Sequence, residues 1–278
     1  MKNYLKKIWL CGIAEPDFGI LKQNLMTDDI EIEEKTLEDI GKFLTVPEGL
    51  LLAAAEQNVL DLAKEKNIAA IGYQKPGEHM FLLADMVVEG FEEVDFIFLE
   101  HVYERHHNIP WTILETGRLV VRELDISDLD ELFKMYAEKG MTDYMEGLYP
   151  YEKEKEYQKA YIENMYRFYG YGMWLVFEKQ TKKLVGRAGI EHREELGNDL
   201  ELGYAVRTSC QRKGYAYEVC SAILQYAKEE LFAEKVHCLI EPENEASVKL
   251  AEKLKFHNTG SCFINGKEML DYVRNLHF

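Results

Sequence analysis

A short run of basic and small residues, QRKGYA from Gln211 to Ala216, stands out in a chain that is otherwise strongly acidic. It lies between a stretch with the pattern of a strand and one with the pattern of a helix. The first backbone amides of a helix have no partner within it, so such a junction is suited to an anion such as phosphate. Gly214 and Ala216 would let that group approach the backbone, and Arg212 and Lys213 would add positive charge.

The cysteines do not form a recognisable metal or disulfide framework. They are scattered along the chain, and none belongs to a Cys-x-x-Cys pair: Cys11, Cys210, Cys220, Cys238 and Cys262. An odd number of dispersed cysteines is typical of reduced thiols, so we expect a cytoplasmic protein without a bound metal.

Composition and charge limit the classes of partner. The chain has 278 residues, 47% of them hydrophobic and 30% charged, which is typical of a soluble globular protein with room for two domains. It contains no apolar run long enough to span a membrane, so we expect no membrane association. The net charge is −17, of which residues 1–113 contribute −11. Such a surface argues against nucleic acid as a partner and favours a cationic or amine-bearing substrate.

Residues 1–112 alternate short apolar runs with amphipathic stretches. Buried strands are predicted at Lys7–Ile13, Gly49–Ala55, Ile68–Tyr73 and Met86–Glu89, and helices at Leu37–Leu44, Asn58–Lys66 and Phe91–Arg105. This alternation with short links predicts a small Rossmann-like α/β domain with a parallel sheet. No glycine-rich phosphate loop is present, so the pattern favours interaction or regulation over nucleotide chemistry.

Part of this domain resembles the second half of a haloacid-dehalogenase-like core. The resemblance lies in LLLAAAEQNVLDLAKEKNIAAIGY and ADMVVEGFEEVD. The Asp-x-Asp nucleophile motif of that family is missing, because the first strand is followed by Asp17 alone. Ala54–Glu56 occupy the place where the family's second motif has a Ser or Thr. The resemblance therefore implies a degenerate domain that lacks the catalytic groups.

Residues 113–278 have a different pattern. Strands are predicted at Arg118–Leu124, Met173–Phe177, Leu184–Glu191, Asp199–Val206 and Lys235–Ile240, and helices after Ser127, at Tyr151–Tyr169, at Gly214–Leu231 and at Ala246–Lys255. Ser127 is a candidate cap for the helix that follows it. Asn265-Gly266 between two apolar runs predicts a closing β-hairpin.

The stretch LELGYAVRTSCQRKGYAYEVCSAILQYA resembles the central motif of the GNAT superfamily of N-acetyltransferases. That motif is Gln/Arg-x-x-Gly-x-Gly/Ala between a strand and a helix, and Gln211, Gly214 and Ala216 match it. EPENEASVKLAEKLKF is similar to a second family block, in which Asn and Ser open a helix that ends in Lys-Leu-Gly-Phe. The residues that match this block are Asn244, Ser247, Lys253, Leu254 and Phe256, with Lys255 in place of the usual Gly. ETGRLVVRE resembles the opening strand of the subgroup that includes ribosomal-protein N-terminal acetyltransferases, through Thr116, Arg118, Leu119 and Arg122.

The resemblance implies an α+β domain over residues 113–278, with a mixed, mostly antiparallel central sheet. It implies direct transfer of an acetyl group from acetyl-CoA to a primary amine of a small molecule or a peptide N-terminus, without a metal. The implied cofactor-binding residues are Tyr204, Ala205 and Val206 for the thioester and pantetheine arm, Gln211, Arg212, Lys213, Gly214, Tyr215 and Ala216 for the pyrophosphate, and Asn244 for the arm. In the family, the region of the Tyr- and Met-rich stretch 140–174 covers the acceptor site.

Two residues are implied in catalysis. Glu201, on the strand before the loop, is the expected base, although an ion pair or a solvated position would explain it equally well. Glu191 and His192 are reserve candidates. The Tyr that many relatives use as the acid is absent, since Ala251 stands in its place, and Ser247 is the expected substitute. Ser247 and Asn244 would also be explained as helix caps.

A second function class remains open on the sequence. The chain could be a CoA-binding sensor or scaffold in which the first domain is regulatory, because an intact pyrophosphate loop fits both functions. Glu201 and Ser247 favour the enzyme, since a binding module needs no base. The oligomeric state is open as well, with a homodimer as one option.

Overall fold

The computed structural model describes residues 3–75, 77 and 82–276, and the chain divides into two compact units, residues 1–111 and 112–278. Each unit has its own β-sheet. Within these described ranges, none of the helices has the length and apolar character needed to cross a bilayer.

The first unit is built on a five-stranded sheet in the order β2-β1-β3-β4-β5, with every neighbouring pair parallel. Its elements are β1 (Lys7–Cys11), α1 (Asp17–Asn24), β2 (Glu31–Glu34), α2 (Leu37–Lys42), β3 (Leu50–Ala54), α3 (Gln57–Glu65), β4 (Ala69–Tyr73), β5 (Met86–Val88) and α4 (Phe96–His106). Every residue of β3 and β4 is buried, as expected where helices cover both faces of a parallel sheet. The predicted Rossmann-like parallel sheet is confirmed.

The second unit contains an eight-stranded sheet in the order β12-β13-β11-β10-β9-β8-β7-β6. Its elements are β6 (Thr112–Glu115), β7 (Leu119–Arg122), α5 (Leu129–Tyr136), α6 (Tyr151–Tyr161), β8 (Met173–Glu178), β9 (Leu184–His192), β10 (Leu200–Val206), α7 (Tyr215–Glu229), β11 (Lys235–Ile240), α8 (Glu245–Lys253), β12 (His257–Ile264) and β13 (Lys267–Asn275). Strands β10 and β11 are parallel and the other neighbouring pairs are antiparallel, which confirms the predicted mixed sheet. Asn265 and Gly266 have φ of 50° and 80°, so the predicted hairpin turn is also confirmed.

One face of this sheet packs against α7. Alternate residues of the central strands, including Trp174, Ala188 and Leu202, are at most 1% exposed and belong to the same apolar core as Val219 and Ile223 of α7. The Trp174 ring also contacts Tyr226 of α7 edge-on, with ring centroids 5.5 Å apart. Burial of apolar surface on this scale fixes α7 on the sheet and thereby fixes the loop that leads into it.

In the first unit, the helix predicted over Phe91–Arg105 begins only at Phe96. In the second unit, two local predictions are wrong. The helix expected over Tyr151–Tyr169 leaves regular α geometry after Tyr161 and continues as a wider π turn over Ile162–Tyr166. The turn before α5 is capped by Asp125, whose carboxylate accepts the Ser127 amide at 2.8 Å. The Ser127 hydroxyl itself donates to Asp125 instead of capping, because the carboxylate is the stronger acceptor.

Lys255 follows α8 with φ of 64°, a left-handed conformation that favours glycine. A non-glycine residue there costs about 1–2 kcal/mol, and the greater unfolded-state freedom of glycine offsets part of any gain. We therefore expect Lys255→Gly to raise the free energy of unfolding of the second unit by roughly 0.5 kcal/mol. Urea unfolding followed by Trp174 fluorescence, with Trp9 and Trp111 replaced by Phe, measures it.

The matched control is Lys249→Gly, the same chemical change inside α8. There glycine should lower the free energy of unfolding by about 1 kcal/mol. Equal losses at both positions would contradict the assignment of strain to Lys255.

Candidate functional site

The central sheet of the second unit opens between two neighbouring strands. Strand β10 pairs with β9 along its whole length, from Leu200 to Val206. It pairs with β11 only through Leu200 and Glu201, after which the two parallel strands separate. Gly203 to Val206 consequently stay partly exposed although they belong to an internal strand. The separation leaves a gap in the sheet.

Backbone amides border this gap. The amide of Arg207 donates to the Val185 carbonyl of β9 at 2.9 Å. Because amides alternate in direction along a strand, those of Tyr204 and Val206 face the gap, whereas that of Ala205 faces β9. The Val206 carbonyl accepts the side-chain amide of Gln211 at 3.2 Å, so Gln211 links the strand to the following loop. Hydrogen-bond donors therefore line the opened edge of β10.

The loop after β10 ends at an uncapped helix start. Arg212 and Gly214 have φ of 59° and 82°, and Gly214 is the N-cap of α7 without a capping side chain. The amides of Tyr215 and Ala216 are thus at a helix N-terminus, where the helix dipole favours an anion. The side chain of Tyr215 is buried and donates to Glu178, so only its backbone faces the loop.

Side chains from other elements hold this loop in place. Arg118 donates to the Lys213 carbonyl at 2.9 Å and forms an ion pair with Glu218 of α7 at 2.6 Å. Glu138, just beyond α5, accepts the amide and hydroxyl of Ser209 at 3.0 and 3.1 Å. The loop is therefore preorganised from both sides.

Two carboxylates lie together on one face of the sheet. Glu201 of β10 is paired directly with Glu191 of β9, so both side chains point to the same side. The Glu201 side chain is 13% exposed and forms an ion pair with Arg193. An ion pair was the structural alternative to a catalytic role for Glu201. Burial raises the pKa of Glu201 above its ordinary value, Arg193 partly offsets this, and the charge of Glu191 adds to the rise. Glu191 accepts the Tyr161 hydroxyl at 2.6 Å.

The start of α8 supplies the other expected side chains. Asn244 caps α8, because its side-chain oxygen accepts the Ser247 amide at 3.2 Å. The helix cap is therefore Asn244 and not the hydroxyl of Ser247. The Tyr204 hydroxyl donates to the Ser247 carbonyl at 3.4 Å, and burial raises the pKa of this phenol. Tyr204 was expected to contribute only its backbone, yet it places a second hydroxyl beside Ser247. Ala251 is buried in the core.

Several residues that support the site carry no signal in the sequence pattern. Arg118 was noted only as a family match, and Arg193 and Tyr161 were assigned no role. Arg187 had a visible signal, since it is the charged residue within the apolar run LVGRAGI of β9. In the part of the chain that the structure describes, no group of three or more His, Cys, Asp or Glu side chains is arranged to hold a metal ion.

Known proteins are similar to a little more than half of this chain. YkkB of Bacillus subtilis (strain 168), an uncharacterized protein, is 30% identical over 148 residues, which is 52% of this chain and 86% of YkkB. YoaA of the same strain, an uncharacterized N-acetyltransferase, is 27% identical over 153 residues, 53% of this chain and 84% of YoaA. RimL, a ribosomal L7/L12 alpha-N-protein acetyltransferase solved in complex with coenzyme A, has a TM-score of 0.52 at 18% identity, over 59% of this chain and 98% of RimL.

A family model also matches the region that holds the site. The model, described as an acetyltransferase (GNAT) domain, covers residues 118–257, half of the chain. This segment runs from just before β7 to the first residue of β12, so it includes both the gap and the loop before α7. The chain belongs to the GNAT family of acetyltransferases and is an acyltransferase.

Proposed function

We propose that this acetyltransferase moves the acetyl group of acetyl-CoA directly to a primary amine of a small molecule or a peptide. The observation that carries the proposal is a pair of backbone-donor sites joined by one loop: the gap-facing amides of Tyr204 and Val206, and the uncapped helix start at Gly214. A pantetheine thioester followed by a pyrophosphate matches these two sites in chemistry and in order. RimL, which has the same fold, was solved with coenzyme A.

The residues present fit acetyl-CoA. The amides at the start of α7, together with Arg212 and Lys213, would hold the pyrophosphate. The amides of Tyr204 and Val206 would hold the arm and donate to the thioester oxygen as negative charge develops on it. The thioester supplies an activated carbonyl carbon. The protein then has to orient the two substrates and to transfer protons.

Glu201 is the proposed base. The attacking amine must be neutral, so its proton passes to the Glu201 carboxylate directly or through a water molecule. The nitrogen then bonds to the carbonyl carbon as the carbon–sulfur bond breaks, and the leaving thiolate takes a proton. Ser247 is the proposed donor of that proton, and Tyr204 is a second candidate because its hydroxyl lies beside Ser247.

The first domain, proposed as residues 1–112, carries no part of this chemistry in our proposal. Its parallel sheet and acidic composition suit interaction or regulation. A CoA-binding sensor regulated through this domain is the competing function.

The two functions are separated by measuring thiol release from acetyl-CoA with a panel of amines, alongside calorimetric titration with acetyl-CoA. We expect micromolar acetyl-CoA binding and amine-dependent thiol release, with the acetylated amine identified by mass spectrometry. Tight acetyl-CoA binding without turnover on any amine would support the sensor and remove the enzyme proposal.

A further inference from the structure

The middle of β9 carries an arginine without a counter-ion. Arg187 donates from Nη1 to the Tyr136 hydroxyl at 3.2 Å. Its Nε is buried and has no hydrogen-bond partner, and no carboxylate pairs with its guanidinium among the residues that the structure describes. The ionisable groups that interact with its charge include the phenols of Tyr136, Tyr166, Tyr161 and Tyr157. Burial raises the pKa of both Tyr161 and Tyr166, so these phenols are neutral and supply no negative charge.

An unpaired buried charge is unfavourable, and structural arginines normally avoid it by pairing. Arg122 of the same sheet shows the ordinary solution, with two hydrogen bonds of 2.7 Å to Asp128. Arg187 lacks such a partner and yet keeps part of its surface exposed. A group of this kind is suited to an anion that arrives from solution.

The register of the sheet places Arg187 beside the gap. Arg187 is paired with Ala205 of β10, the residue between the two gap-facing amides of Tyr204 and Val206. Its side chain points to the same side of the sheet as Glu191 and Glu201, about 13 Å along the strands. The guanidinium is thus close to the position of the thioester, and the carboxylates lie further along the same face. Between them Met173, a flexible side chain, lies over Gly203.

We propose that Arg187 binds a carboxylate of the acceptor, and that the acceptor is a small amino acid whose carboxylate lies within a few atoms of the amine, so that the amine lies near the thioester and its proton reaches Glu201 through water. This inference rests on the proposed function and specifies its substrate class. A free amino acid is a zwitterion without net charge, so the −17 surface does not repel it as it would a simple anion. A polyamine has no group for Arg187 to bind.

The test compares acceptors that differ only in the α-carboxylate: phenylalanine with phenethylamine, histidine with histamine, and leucine with isopentylamine. For wild type we expect kcat/KM for at least one amino acid to exceed that of its decarboxylated partner by about 100-fold. Arg187→Met should remove that preference, reducing kcat/KM for the amino acid by about 100-fold with little change for the amine. Arg187→Lys should recover part of the loss, and the Kd of acetyl-CoA should not change.

The Tm of the Arg187→Met variant is a second test of the proposal. A purely structural arginine would lower the Tm when replaced, whereas a ligand-binding arginine should not. Because Arg187→Met removes an unpaired buried charge and keeps the side-chain volume, the Tm of the free protein should stay the same or rise. Arg122→Met is the matched control, and its Tm should fall because Asp128 loses its partner. A lower Tm for Arg187→Met, with equal losses on amino acids and amines, would overturn the proposal.

Equilibrium binding separates this inference from the proposed function. Phenylalanine, histidine, leucine and their decarboxylated partners are titrated by calorimetry into CoA-loaded wild type and Arg187→Met. Binding of an amino acid that requires Arg187, without turnover, would retain the carboxylate site while the enzyme proposal fails. Turnover of amines that is indifferent to the carboxylate and to Arg187 would retain the enzyme and reject the site.

Discussion

Glu201→Gln should lower kcat by roughly 10²–10⁴-fold while the Kd of acetyl-CoA stays within about twofold of wild type. Glutamine has nearly the same shape as glutamate, but it cannot accept a proton from the acceptor amine. Glu201 lies on β10 and Gly214 is the N-cap of α7, so the substitution leaves the proposed cofactor-binding loop unchanged. Steady-state thiol release at saturating acetyl-CoA measures kcat, and calorimetry measures the Kd.

The pH dependence identifies the carboxylate. A base works when deprotonated, so kcat/KM falls as the pH drops through its pKa, which burial raises for Glu201. That acidic limb should disappear in Glu201→Gln. Arg193 lowers the pKa of Glu201, so Arg193→Met should raise that pKa and move the limb to higher pH.

Glu191→Gln is the matched control, because Glu191 is paired directly with Glu201 and shares its face of the sheet. Its variant should keep the acidic limb, shifted to lower pH by loss of a neighbouring negative charge. A limb that survives in Glu201→Gln and vanishes in Glu191→Gln would make Glu191 the base.

The predicted fold succeeded where one physical signal dominated. The continuous apolar runs at β3 and β4 identified buried parallel strands, because both of their faces are covered. Strand β2, with the sequence EIEE, was missed because an edge strand needs no apolar run. Helix α1 was missed because Leu21 is its one buried residue, which leaves almost no apolar stripe to detect. The π turn after α6 ends at the buried residue Tyr166 and leaves no periodic signature in the sequence.

The candidate site also has a part that the sequence reveals and a part that it does not. The loop before α7 was recognisable because its conformation depends on a residue type, glycine, at Gly214. The side chains that complete the site were not, because their partners meet through tertiary structure: Arg118 contacts Glu218 on a distant helix. The pairing of Glu201 with Arg193 depends on how the β9–β10 connection folds back. Sequence patterns therefore identified the loop before α7 directly, whereas the side-chain partners of Arg118 and Glu201 became visible only in the folded chain.

Gly214→Val should raise the KM for acetyl-CoA by about 100-fold while leaving kcat at saturation largely intact. Gly214 has φ of 82°, where a β-branched residue is strongly disfavoured. A Cβ there would also lie 3.4 Å from the Arg118 guanidinium, which holds the Lys213 carbonyl. The loop would relax into a conformation in which the amides of Tyr215 and Ala216 no longer converge. Because a binding-competent fraction of one in a hundred corresponds to about 2.7 kcal/mol, backbone strain and lost contacts together suffice.

Backbone strain alone must be separated from damage to the loop. Gly77 in the first unit has φ of 85°, and a Cβ there would meet no described atom within 4 Å. Gly77→Val therefore introduces similar strain in the first unit and not in the loop before α7, and its KM for acetyl-CoA should match wild type. Equal KM values for Gly214→Val and wild type would contradict the assignment of this helix start to the pyrophosphate. A fall in kcat with unchanged KM would instead place Gly214 in the chemistry.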